Sequence, residues 1–394
     1  MKELVHTVNF ENTELAFQAR SDAKLARTYW LFRLIDNPFL TRWAPKALNL
    51  AFWLRLPVKG IVKKTIFELF VGGESLKETA KTSAYLDEYG VRTILDYSVE
   101  GEKNKAGFDK TRDEIIATLE HGAKHDSVAF SACKMTGLAR FALMAKIQAG
   151  DPLSEKEQQE YEEVVQRMES IAQAAVANHT PIFIDAEESW IQDFIDGVAE
   201  DLMEKYNRAE PVIWTTVQLY RHDRYEYLKA LIERSHERGY ILGVKLVRGA
   251  YLEKENDRAL ELDYPTPMQP NKQATDRDYD AALTICVQNL SHVGVCAGTH
   301  NEASSHLLAQ LMETHGIRHD HPYIWFSQLL GMSDHISFNL AHLGYNVAKY
   351  LPFGPVRAVM PYMMRRAEEN TAIAGQSSRE VALLKKELNR RKGH

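Results

Sequence analysis

From residue 91 onward, short apolar or β-branched runs alternate with longer amphipathic stretches. The runs are VRTILDYS (91–98), VAFSACK (128–134), PIFIDAE (181–187), VIWTTVQ (212–218), ILGVKLV (241–247), VGVCAGTH (293–300), PYIWFSQ (322–328) and NVAKYLP (346–352). Each has the length of a strand and is too short for an ordinary helix. Between them, segments such as EQQEYEEVVQRMESIAQAAVANH (157–179) and RYEYLKALIERSHERGY (224–240) repeat apolar residues at helical spacing. Eight strands, each followed by a helix, predict a (β/α)8 barrel, and the roughly 280 residues from 91 onward fit its usual size. The rival, a doubly wound open sheet, would want a G-x-G-x-x-G turn after a strand, and no run is followed by one. Before residue 91 the texture is helical, in FENTELAFQARSDAKLARTYWLFRLI and APKALNLAFWLRLPVKGIVKKTIFELF. The expected organisation is therefore α/β: a helical region over 1–90 packed on the barrel, the barrel over 91–376, and a basic helical tail over 377–394.

Composition narrows the class without changing this picture. With 45% hydrophobic and 26% charged residues, the 394-residue chain reads as a soluble globular protein with a sizeable core. A formal net charge of −6 gives no reason to expect nucleic acid as a partner. Cys133, Cys286 and Cys296 form neither a disulfide framework nor a C-x-x-C zinc spacing, which suits a reducing compartment. No apolar run is long enough to span a bilayer, and the start MKELVHTVNFENTELAF resembles neither a signal nor a transit peptide. The expectation is a cytoplasmic protein, with peripheral membrane contact still open.

The carboxyl ends of barrel strands face the loops where such folds place their chemistry. Here those ends are polar in succession: Lys134, Asp185, Gln218, Lys245 with Arg248, Thr299-His300-Asn301, and Gln328. A single strand-end Lys or Asp is more often a solvated loop residue or half of a surface ion pair. Their convergence on one mouth favours function, and it predicts a cationic mouth with one carboxylate, suited to an anionic substrate, a phosphate-bearing cofactor, or both.

After the eighth run, GPVRAVMPYMMRRAEEN (354–370) puts Tyr362, Arg365, Arg366 and Glu369 on one helical face. Such a face could hold a small carboxylate by bidentate pairing beside an aromatic ring. Alone, it reads more readily as a solvated face with Arg–Glu pairs. Pro361 is expected to kink or shorten this helix, which shifts the balance toward function. In KLVRGAY (245–251) the backbone N–H groups of Gly249 and Ala250, flanked by cations, could approach a pyrophosphate, although any βα turn uses glycine. His300-Asn301 lacks a second ligand at the spacing of barrel hydrolases, and His121 and His125 precede the second strand, at the opposite mouth, so no metal is expected.

Taken together, FIDAEE (183–188), VKLVRGAY (244–251), THN (299–301), FSQLLGM (326–332) and YLPFGPVRAVMPYMMRRAEEN (350–370) resemble proline dehydrogenase, in order along residues 10 to 376. The likeness is greatest to the animal mitochondrial enzymes, which share KLVRGAY and the insertion YPTPMQPNKQATDRDY (264–279). The resemblance implies a distorted (β/α)8 barrel holding FAD, which oxidises L-proline to Δ1-pyrroline-5-carboxylate and passes electrons to membrane quinone. It implies that Arg365 and Arg366 clamp the proline carboxylate with Lys134 as third cation. Tyr251, Leu329, Tyr350 and Tyr362 would wall the pyrrolidine ring, and Asp185 would order the site. Lys245 would sit beside flavin N5. Ala186, Gln218, Val247, Arg248, Gly249, Ala250, Tyr251, Lys272, Thr275, Thr299, His300, Asn301 and Glu369 match cofactor-holding positions.

Physical chemistry adds two expectations. A carboxylate clamp would fix ring C5 against flavin N5, and the hydride leaves more readily from an amine that has lost its extra proton, so activity should rise with pH. A positive charge at Lys245 would favour an anionic reduced flavin. Many bacterial members read R-L-V-K-G-A-Y, so Lys245 and Arg248 exchange types here and the Lys245 role transfers less directly. The related hydroxyproline-preferring enzymes carry a smaller residue in place of Tyr350, so its presence favours proline. Other readings stay open: 4-hydroxyproline oxidation, a Schiff-base lyase or aldolase at Lys134 or Lys245 with Asp185 as acid–base partner, or a carboxylate binder without turnover. Residues 43–70 carry Lys and Arg with one acidic residue and could meet a membrane surface, though Trp53, Leu54 and Phe67 would suit a packed helix pair equally. Glu100 and Glu102 are candidates to gate the arginine pair. A separate protein would supply pyrroline-5-carboxylate dehydrogenase.

Overall fold

The computed structural model describes residues 8–35, 60, 63–98, 102, 104–356, 358–363, 365–366 and 376–393. All eight expected strands form: β1 (Val91–Tyr97), β2 (Val128–Cys133), β3 (Ile182–Ile184), β4 (Ile213–Gln218), β5 (Leu242–Val247), β6 (Val293–Gly298), β7 (Ile324–Leu329) and β8 (Val347–Phe353). They close in sequence order into a parallel barrel, with β1 paired to β8 from Val91↔Val347 to Tyr97↔Phe353. Helices follow the strands and cover the outside, because a parallel sheet is apolar on both faces and must be buried on both. Local signals set their ends. Ser154 and Glu157 form a capping box at the start of the helix Glu155–Ala177, and Gly239 ends the helix Arg224–Arg238 in the left-handed region.

Residues two apart on a strand share a face, so each strand sends alternate side chains into the barrel. The lower interior is filled by aromatic rings. Phe130 stacks on Phe183 at 4.4 Å between centroids and meets Trp214 and Trp325 edge-on at 5.3 and 5.2 Å. Trp214 fits because its neighbours are glycine: a Cβ on Gly243 or Gly294 would lie 2.7 or 2.6 Å from its ring. Above this plug the next inward positions are polar, and there the chemistry begins.

A second apolar cluster sits over one side of the barrel. Phe17, Leu25, Phe32, Leu69 and Phe70 from the N-terminal region pack with Val356, Val359, Met360, Tyr362 and Met363, and with Leu383 and Leu384 of the helix Gln376–Arg391. Gly73 bridges to Phe353 beside β1. Thus N- and C-terminal segments together seat the helical residues 360–363 and 365–366 that carry the arginines. Pro361 bears out the shortening and not the kink: the helix of the 354–370 segment begins only at Met360. It stands in the first turn, where a missing N–H costs nothing, and Met363 still donates to Val359 O at 3.1 Å.

Candidate active site

Asp185 is the centre of the polar layer. It follows β3, whose ladder it prolongs by donating its N–H to Cys133 O at 2.9 Å. Its carboxylate accepts from Lys245 on β5, from Tyr350 Oη on β8 at 2.7 Å and from Lys134 Nζ after β2 at 3.2 Å. Burial alone would raise this carboxyl, but the Lys245 and Lys134 charges and the hydrogen bonds from Lys245 and Tyr350 hold it well below the usual range. The Tyr350 ring lies near both ammonium groups, 5.2 Å from Lys245 Nζ and 5.8 Å from Lys134 Nζ. Burial, then the charges of Asp185 and Asp96, push its phenol up, so it acts as a neutral donor.

The mouth is not cationic with one carboxylate, as the strand ends suggested. Asp96 on β1 is fully buried, 3.6 Å from Lys134 Nζ, and accepts from Ser98 Oγ. Two carboxylates therefore face two lysines inside the barrel, which is how charges persist at low dielectric. Beside them Glu187, also buried, accepts from Thr136 N at 3.0 Å and from Thr136 Oγ1. Burial first, with the neighbouring Glu188 charge adding, pushes Glu187 up to about 7 against the lowering effect of Thr136 and Lys134. Lys349 on β8 points away from the barrel interior and is tied to Asp334 at 2.9 Å, which Arg20 also reaches at 2.7 Å. None of Asp96, Glu187 and Lys349 was singled out from sequence.

The βα turn after β5 requires its glycine. Gly249 has φ 138°, and a Cβ there would run into the Tyr220 ring. Among the described residues neither Gly249 nor Ala250 donates its backbone N–H to the backbone. Arg248 bonds Asp276 at 2.8 Å, Thr299 Oγ1 at 2.7 Å and Ser304 Oγ at 3.0 Å, its guanidinium over the Tyr279 ring. Lys272 shares Asp276, and Thr275 is buried one turn along the same helix. Asn301 caps the helix Glu302–Thr314, and Gln328 donates to Thr299 O at 3.1 Å. Gln218 donates to Glu187 O at 2.8 Å. His300 contacts Ser333 Oγ at 3.0 Å. Burial, then the charges of Lys349 and Arg366, depress its pKa well below the ordinary value.

A family model for proline dehydrogenase matches residues 79–379. The chain belongs to the proline dehydrogenase family. It is an oxidoreductase acting on proline, as membership and the named relatives support. Proline dehydrogenase 1 (mitochondrial) of Dictyostelium discoideum is 31% identical over 96% of this chain and 74% of its own length. The carbapenem antibiotics biosynthesis protein CarD of Pectobacterium carotovorum is 33% identical over 84% of this chain and 86% of its own. A hydroxyproline dehydrogenase from Xenopus laevis is 29% identical over 95% of this chain and 88% of its own. The solved structure of proline utilization A from Bdellovibrio bacteriovorus superposes with a TM-score of 0.72 at 18% identity, over 91% of this chain. This chain spans only 38% of that longer protein, and at such identity the likeness speaks for the fold.

In this proline dehydrogenase-family barrel, the remaining sequence-derived positions divide between described and undescribed residues. Arg366 is buried with its guanidinium 5.3 Å from the Tyr362 ring, and Arg365 is half-buried. Tyr251, half-buried after β5, is pushed up by burial first and then by Glu187, while the Arg365 and Lys134 charges pull the other way. Leu329 ends β7 against the Tyr350 cluster, and Ala186 is half-buried beside Asp185. Glu369 and Glu100 lie outside the described residues; Glu102 is half-buried just before the helix Lys105–Gly122. The His121 and His125 rings meet at a tilt, 4.1 Å between centroids, before β2, at the opposite mouth.

Proposed function

We propose that this protein oxidises L-proline to Δ1-pyrroline-5-carboxylate with FAD, at the carboxyl mouth of the barrel. The observation that carries the reading is the Asp185–Lys245–Lys134–Tyr350 cluster, buried at the carboxyl ends of the strands in a chain of this family. The residues present fit a flavin dinucleotide. Buried Thr216 Oγ1 on β4, two residues below Gln218 on the same strand, has no hydrogen-bond partner among the described residues. Ala186, Gln218, Lys245, Val247 to Tyr251, Lys272, Thr275, Thr299, His300 and Asn301 would hold it, with Glu369 as a further candidate. The chemistry supplied by such a group is acceptance of a hydride, from ring C5 to flavin N5, with the electrons then passed to membrane quinone.

The chain's own part is binding and orientation. Arg365 and Arg366 hold the substrate carboxylate by charge-assisted hydrogen bonds, Lys134 adds a third cation, and Tyr251, Leu329, Tyr350 and Tyr362 exclude water around the ring. Asp185 keeps Lys245 and Tyr350 in one geometry, so their donors need not reorganise during the reaction. The substrate nitrogen must be unprotonated, so the rate rises with pH.

Quinone reduction calls for contact with a membrane surface. Among the described residues no helix is long and apolar enough to cross a membrane, whereas Trp30 and Leu34 on the helix Asp22–Ile35 are 59% and 53% exposed. Most of 43–70 lies outside the described residues; Lys63, which is described, pairs with Glu74 at 2.8 Å. Co-sedimentation with anionic vesicles tests that contact. A pyrroline-5-carboxylate dehydrogenase is the partner that would consume the product. The deciding experiment is the absorbance spectrum of purified protein under anaerobic L-proline, with trans-4-hydroxy-L-proline in parallel. A flavin band that bleaches with proline, and less with hydroxyproline, is the expected result. Faster bleaching by hydroxyproline would favour the activity named for the Xenopus relative, and protein that cannot take up FAD would overturn the reading.

A further inference from the structure

Glu187 is a buried ionisable group at this mouth that the reaction as proposed does not use. Its carboxylate receives both the N–H and the hydroxyl of Thr136. Thr136 lies in the short 3-10 turn Met135–Gly137, whose N-cap residue is Lys134 and whose N-cap side chain makes no capping bond. Glu187 supplies the acceptor that turn lacks, from the neighbouring strand. Its backbone is fixed from two further sides: its N–H donates to Gln192 Oε1 at 2.8 Å and its carbonyl accepts from Gln218 Nε2 at 2.8 Å. One residue therefore joins the exits of β2, β3 and β4.

We propose that Glu187 is a positioning residue for the substrate carboxylate, acting by holding the turn that carries Lys134. The inference rests on the proline-site reading above and deepens it. Ionised, Glu187 can accept from both Thr136 donors. Protonated, it keeps fewer acceptor sites and must itself donate, so the turn loses part of its anchor. The charged groups around it are Lys134 after β2, Glu188 on its own segment and Tyr251 after β5. Lys254 sits one step further, paired to Glu188. With Glu187 raised to about 7, the anchor weakens as pH falls through neutrality.

The test uses the full-length, flavin-loaded protein and cyclopentanecarboxylate, a proline-sized carboxylate with no amine to titrate, by calorimetry between pH 6 and 8. Wild type should bind about five- to tenfold more tightly at pH 8 than at pH 6, the range expected for one charge-assisted hydrogen bond. Glu187→Gln should bind at every pH with the weak constant of wild type at pH 6. Thr136→Val, which keeps the carboxylate but removes the hydroxyl donor, should lose the same factor at pH 8. A Glu187→Gln protein that keeps the wild-type pH profile, or equals wild type at pH 8, overturns the proposal while leaving the proline site standing. Failure of wild type to bind the probe at all overturns both.

Discussion

Replacing Asp185 by asparagine exchanges one oxygen for an amide nitrogen and removes the anion on which two buried lysines converge. The new side chain would keep an acceptor for Lys245 but turn an amide donor toward Tyr350 Oη and Lys134 Nζ, now 2.7 and 3.2 Å from an accepting oxygen. Removing one partner of a buried ion pair typically costs about 3–5 kcal/mol, because the remaining charge stays buried and uncompensated. Unfolding a chain of 394 residues has an entropy near 0.8 kcal/mol per degree, from about 2.1 cal/mol/K per residue. The loss therefore corresponds to a fall in Tm of roughly 4–6 °C at pH 7. The pH dependence gives a second handle. A depressed folded-state pKa means that the stabilisation by Asp185 is complete above the unfolded value and drains away as pH falls toward the folded one. With an unfolded value near 3.9, the gap between wild type and Asp185→Asn should narrow by about 1.3 kcal/mol, or about 1.5 °C, by pH 3. Scanning calorimetry of both proteins from pH 7 to pH 3 is the assay. A gap under 1 °C at pH 7, or one that widens on acidification, would refute the charge-pair account.

Gly249→Ala should destabilise by about 2–4 kcal/mol, since alanine meets both a φ of 138° and a Tyr220 ring that fills the space of its methyl group; Tyr220→Leu in the same chain should relieve the steric part in a thermal melt. Arg366→Lys should raise KM for L-proline about 10- to 100-fold with a smaller change in kcat, because lysine lacks the planar fork that binds a carboxylate through two bonds. His300 should remain neutral at pH 6 by nitrogen NMR of its ring, and its depressed value means that stability falls as pH drops below about 6.5, where the unfolded chain takes a proton the folded one refuses.

The barrel was legible because its signal is distributed over the whole chain: eight runs of strand length, separated by helical periods, with no glycine-rich first turn to favour the open sheet. Much of the candidate site was legible as strand-end polarity, from Lys134 round to Gln328. What was missed divides by physical cause. Asp96 was recoverable, since inward Ile94 puts Asp96 inward by the period of two, but a carboxylate inside a strand run reads as outward-facing polarity unless parity is followed. Glu187 shares the inward parity of Asp185, yet its hydrogen bonds to Thr136 depend on the β2–β3 register Cys133↔Ile184, which no local pattern encodes. Lys349 looks like a solvated outward residue of β8; it is buried because Asp334 and Arg20 close over it, a matter of tertiary packing. Of the two effects expected of Pro361, a kink or a shorter helix, the structure shows the second, because the helix begins beside it.

The distribution of charge separates the two interior lysines. Lys245 is held directly by Asp185, with its side chain 6% exposed. Among the described residues the Lys134 ammonium reaches Asp185 at 3.2 Å, Asp96 at 3.6 Å and Tyr350 Oη at 3.4 Å, with its side chain 12% exposed at the end of its strand. An ammonium shared among several distant acceptors loses less when one is exchanged than an ammonium committed to one carboxylate. In the proposed reaction Lys134 would face an arriving substrate carboxylate, while Lys245 stays committed to Asp185. Asp185 can keep its charge through that exchange, because Lys245 and Tyr350 remain with it.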